Sequence, residues 1–146
     1  VIGRTSYLVA AGRVVADGDE GRVVAADGSA VVVAEGRRET VALVKPGPPS
    51  APRDAAPGGI LAGVETMRGT ITADGQPVAV AWAPSLPNVY ALTRLPAHGD
   101  KSLHAQLAAL PGMPMTVERP NLKGGTLRWT VQRLVAGPID PRLLVP

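Results

Sequence analysis

A chain of 146 residues without cysteine, and without any apolar run near the ~18 residues of a membrane span, excludes disulfides, thiolate metal sites and a membrane-crossing helix. Its apolar share of 45% includes no Phe, two Trp and two Tyr, so the core must be Val, Leu and Ala, while 17 Gly and 15 Pro point to many turns rather than a helical bundle. The net charge of +3 lies in residues 60–146, which hold eight basic and five acidic groups, and is too small to argue for nucleic-acid binding without a clustered patch.

Residues 5–15 read as a first strand, ended by the turn pair Asp17-Gly18. A second strand over 21–26 is followed by Asp27-Gly28, a pair suited to a two-residue hairpin. Residues 30–34 form a third strand, Glu35-Gly36-Arg37-Arg38 the next turn, and 39–44 a fourth strand. Strand and turn at about ten-residue spacing predict a small antiparallel meander or barrel over residues 1–45.

Residues 46–59 are expected to be an extended arm. Pro46, Pro48, Pro49, Pro52 and Pro57 remove backbone donors and push their predecessors toward extended geometry, so the arm is neither helix nor inner strand. A second block is expected over 60–136. Residues 60–73 read as one long or bent strand, with Gly63 and Gly69 as bulge positions, and Asp74-Gly75 turns the chain. The return strand places Val78, Val80 and Trp82 on one face.

Residues 89–95 read as a further strand. A single short helix then begins at Asp100 or Ser102, with Leu103, Leu107 and Leu110 on one side, and stops at Pro111-Gly112. A last hairpin joins 115–119 to 127–135, where Leu127, Trp129 and Val131 alternate with polar residues. Residues 137–146 form an apolar, proline-broken tail that needs a surface to lie on. The fold class expected is mainly β: a small antiparallel meander or barrel, a Pro-rich arm, and an antiparallel sheet with one short helix.

Catalytic residue types cluster only at His98, Asp100, Ser102 and His104. Metal ligation or a Ser/His nucleophile pair would need these groups to converge. Because His98 precedes the helix and His104 lies one turn inside it, no i, i+4 pair shares a face. Helix capping explains the same letters, so no catalytic residue, metal or cofactor is assigned. The basic residues Arg119, Lys123, Arg128 and Arg133 gather in the last hairpin, opposed locally by Glu118. With the arm prolines Pro46, Pro48, Pro49 and Pro52, they are the candidate interaction residues.

Residues 6–45 run from Ser6-Tyr7-Leu8-Val9 through a Val-rich hairpin (Val23-Val24, then Val31-Val32-Val33) to the turn Gly36-Arg37-Arg38-Glu39 and a last apolar strand ending at Leu43. This stretch resembles part of the small periplasmic β-domain of inner-membrane proteins in type II secretion and type IV pilus machines. The resemblance omits that domain's opening strands and membrane anchor, and brings over no catalytic residue. The function expected is a non-catalytic structural subunit of a larger assembly, a phage or virus-like particle. Its partners would be other copies of itself or neighbouring subunits. A periplasmic interaction module is the alternative, and a small metal-dependent or serine hydrolase using the His98–His104 segment a second one. Virion and bacterial envelope or periplasm are the corresponding locations.

Overall fold

The computed structural model describes residues 5–10, 13–19, 21–45, 47–96, 101–120, 124–135 and 139–145. Two five-stranded antiparallel meanders account for most of it. The first sheet holds β1 (Thr5–Ala10), β2 (Arg13–Gly18), β3 (Gly21–Ala26), β4 (Ser29–Ala34) and β5 (Arg37–Ala42), each paired with the next in chain order. The second holds β6 (Arg53–Leu61), β7 (Val64–Ala73), β8 (Gln76–Ala83), β9 (Met113–Pro120) and β10 (Thr126–Thr130), in the order β10-β9-β8-β7-β6. The mainly β fold class read from the sequence is the one found. No helix among the described residues is long and apolar enough to cross a membrane.

Several element readings are corrected. Residues 5–15 are not one strand but a hairpin, for Ala10 pairs with Arg13 and Tyr7 with Ala16. Residues 60–73 likewise divide, because the chain reverses at Ala62 (φ 51°) and Gly63 (φ 83°), bringing Leu61 opposite Val64. The second half of the proline-rich stretch, 53–59, is part of β6. As an edge strand, β6 pairs only with β7, so a proline at position 57 costs no inner ladder bond.

Residues 89–95 are not a strand. Val89–Leu92 form the short helix α1, and Leu103–Ala108 form α2, so there are two helices where one was expected. Side-chain capping decides the first: the Asn88 carboxamide oxygen accepts from the Tyr90 and Ala91 N–H groups at 3.0 and 3.3 Å. An apolar β-branched start had suggested a strand, but a capped turn packed on a neighbouring helix outweighs that weak propensity. Ser102 caps α2 by accepting from the Ala105 N–H at 3.2 Å.

The second sheet buries Val78, Val80 and Trp82 on the face that the two-residue period assigned to them. Leu107 and Leu110 from α2 and the turn after it close over this face, with Ala73 and Val117 in the same cluster. Val14 of the first sheet packs into an adjoining cluster with Ala83, Val89, Met113 and Met115, and Tyr7 joins it from β1. The first sheet therefore contributes Val14 and Tyr7 to a cluster otherwise drawn from the second sheet and the helical layer. Residues 43–45 and 47–52 run along the helical layer, where the Val44 N–H donates to the Arg94 carbonyl (2.9 Å) and the Ser50 N–H to the Ala109 carbonyl (2.8 Å).

Candidate interaction surfaces

Three places have a definite geometry. The first is the free edges of the second sheet, and its two edges differ. On β6, Arg53 pairs with Thr70 and Ala56 with Arg68, so Asp54 and Ala55 bulge opposite Gly69. Asp54 takes a positive φ of 55° there. A side chain at Gly69 would meet the Arg53 carbonyl and the Pro52 ring at 2.8 and 2.9 Å, which is why β-carbon-free backbone occupies the spot. A second irregularity falls between Pro57 and Gly59. Two bulges and a proline blunt this edge against further pairing.

The β10 edge carries none of these devices. Its five residues pair regularly with β9, from Thr126 opposite Pro120 to Thr130 opposite Thr116. One more ladder bond follows, from the Val131 N–H to the Met115 carbonyl at 2.8 Å. Beyond it, residues 132–135 are exposed. Leu127 on the strand and Leu134 and Val135 beyond its end leave 45%, 38% and 74% of their surface to solvent.

The second place is the C-terminal segment. A 3-10 turn, Pro141–Leu144, is capped by Asp140, whose carboxylate accepts from the Arg142 N–H at 3.0 Å. Arg142 beside Asp140 also holds that carboxyl below the usual carboxylate range. The turn lies on β2, and one side chain ties it down. The Arg22 guanidinium donates to the Leu143 carbonyl (2.6 Å) and the Val145 carbonyl (2.9 Å), while its other nitrogen pairs with Asp17 at 3.0 Å. Sequence reading expected a tail in need of a surface but not which surface. Arg22 was one charge among many there, and nothing local marks its partner more than a hundred residues away.

The third place is an aromatic junction between the sheets. Tyr90 lies edge-on to His104 at 4.9 Å and to Trp129 at 6.1 Å, with Tyr7 of the first sheet at 6.2 Å. Burial pushes the Tyr90 phenol far above its ordinary value, and the neighbouring Tyr7 adds to the shift; burial also raises Tyr7. This is a packed joint between layers rather than an accessible site.

The residues singled out from the sequence are dispersed. Across the β9–β10 ladder Arg119 faces Leu127 and Glu118 faces Arg128, so Arg119 and Arg128 lie on opposite faces of the sheet. Arg128 is paired with Glu118 at 3.1 Å, Arg133 is exposed beyond the strand, and Lys123 lies outside the described residues. Pro48 and Pro49 are exposed on the segment crossing the helices, whereas Pro52 is buried against Gly69 and Pro46 lies outside the described residues. His98 and Asp100 also lie outside them. Ser102 is engaged as a helix cap and His104 packs on Tyr90. Among the described residues no group of three or more His, Cys, Asp or Glu side chains is placed to hold a metal ion.

No family of known proteins matches this chain, and neither does any curated protein or solved structure.

Proposed function

We propose that the protein is a non-catalytic structural subunit of a larger protein assembly, a capsid, decoration or tail-type component of a phage or virus-like particle. The observation that carries this reading is the β10 edge. It is regular, no other strand among the described residues pairs with it, and it leads into the exposed apolar residues Leu134 and Val135, while the opposite edge of the same sheet is blunted by bulges. Sheets leave an edge in that condition at a cost in solubility, and a neighbouring subunit that pairs with it removes the cost. The assignment to a particle draws support from the segment 47–52 and the C-terminal turn at 139–145, which gain their order by lying on other surfaces.

Light scattering across a concentration series tests the reading. The unmodified chain is expected to self-associate, and Leu127→Lys combined with Val135→Lys to shift it toward monomer with unchanged far-ultraviolet circular dichroism. A parent chain that stays monomeric at every concentration would sink the proposal.

A further inference from the structure

We propose that the Arg22 cleft on the first sheet is an arm-exchange site, in which the C-terminal segment 139–145 of one copy lies on β2 and β3 of a second copy. The inference rests on the reading of the protein as an assembly subunit and names the contact through which two copies join.

The cleft is built from the face of the first sheet turned away from the cluster that Val14 joins. Val14 points into that cluster, so its neighbour Val15 faces the other way, and the ladder carries the alternation across: Val15 is opposite Val24 and Asp17 opposite Arg22. Val15 and Val24 are nevertheless 1% and 7% exposed. The segment that lies on β2 from this side is the 3-10 turn. Arg22, held by Asp17, extends its guanidinium to the last carbonyls of that turn, where the end of a helical turn concentrates negative partial charge. The site thus recognises main-chain carbonyls on a short apolar turn, and every copy of this chain carries that turn.

Two features favour delivery by a second copy. The contact is shallow, with Leu143 and Val145 each 49% exposed although they sit beside the clamp. The stretch that leads to it is unfavourable as it stands, with Leu134 and Val135 open to solvent. Exchange keeps every Arg22 bond, since donor and acceptors are identical in each copy, and lays the two leading stretches beside each other where their apolar side chains cover one another.

Full-length variants separate the two halves of the contact. Arg22→Ala removes the site and leaves the arm. Leu143→Lys with Val145→Lys puts ammonium groups against Arg22, disabling the arm and leaving the site. Each variant alone should self-associate about tenfold or more weakly than the parent, while an equimolar mixture should form a heterodimer by light scattering. Near-ultraviolet circular dichroism checks folding, and Arg22→Lys replaces Arg22→Ala in the mixture if the alanine variant fails that check. A parent that associates while both variants do so equally well, with no gain on mixing, overturns the exchange and leaves the subunit reading standing. A parent that is monomeric throughout overturns both.

Discussion

At the scale of single residues, Asn88 does the most with the fewest atoms. Its oxygen caps α1 while its amide nitrogen donates to the Leu107 and Leu110 carbonyls at 2.8 and 3.0 Å, tying the end of α2 to the start of α1. Asn88→Ala is expected to cost about 2–3 kcal/mol, the lost cap plus two part-buried carbonyls left without their donor. Asn88→Asp, an equally good cap, should not rescue, because it sets a carboxylate against those carbonyls. Urea denaturation of both variants checks this; an Asp variant as stable as the parent would mean that the bridge carries no weight. Tyr7 and Tyr90, the only two tyrosines, make a second test. Burial raises both phenols, so above about pH 10 the unfolded chain loses its phenolic protons while the folded one keeps them. Their contribution to stability is therefore complete below that pH and falls as pH rises beyond it. Phenolate absorbance in the intact fold should therefore appear only above the ordinary tyrosine range; a reversible titration of both phenols near pH 10 in the folded protein would contradict it.

At the scale of elements, the hairpin turns explain what was legible. Asp27-Gly28, Glu35-Gly36 and Asp74-Gly75 each place two positive-φ residues between paired strands, the geometry favoured where a tight turn must follow the strand twist. The first and third are legible as pairs and the second as a longer turn over 35–38, because an acidic residue before glycine is a recognisable turn signal, whereas Arg37 and Arg38 already belong to β5. Ala62-Gly63 adopts the same conformation with an alanine in the left-handed region, and alanine carries no such signal. That is why residues 60–73 read as one strand. The strain at Ala62 also yields a prediction: Ala62→Asn, which tolerates that region, should stabilise the protein by roughly 0.5–1 kcal/mol, seen as a higher thermal midpoint. A lower midpoint would show that the turn is not under strain. Helix α1 escaped reading for the opposite reason. Val89-Tyr90 has strand-like letters, and the Asn88 cap acquires its weight only with the bonds to α2.

At the scale of the molecule, a single buried valine joins the first sheet to the cluster beside the second. Both tryptophans sit in the second sheet, yet Val14 of the first is 2% exposed in a cluster that includes Met115 and packs against Trp129. Val14→Ala is thus expected to lower the midpoint of the tryptophan-reported unfolding transition, by about 1–2 kcal/mol on general grounds for a buried valine. A tryptophan transition that does not move would mean that the first sheet unfolds independently. The segment between the sheets serves this arrangement. Its backbone bonds to Arg94 and Ala109, and buried Pro52 on Gly69, make it a brace across the helical layer rather than a free tether.

Sequence alone determined what local chemistry controls: mainly β character, the turns after β3, β4 and β7 but not Asp17-Gly18, which lies inside β2, the buried face of Val78, Val80 and Trp82, and the apolar side of α2. Each follows from a two- or four-residue period or from a turn pair, and needs no distant partner. Tertiary structure decided what rests on separation along the chain. It joined Tyr7 to Tyr90, made 53–59 an edge strand by giving it β7 to pair with, sent Arg119 and Arg128 to opposite faces, and brought Arg22 to the carbonyls of Leu143 and Val145. The proline-rich stretch was recognisable as extended, because proline constrains its own backbone. Where an extended chain lies depends on the surface beneath it, which forms only when both sheets are in place.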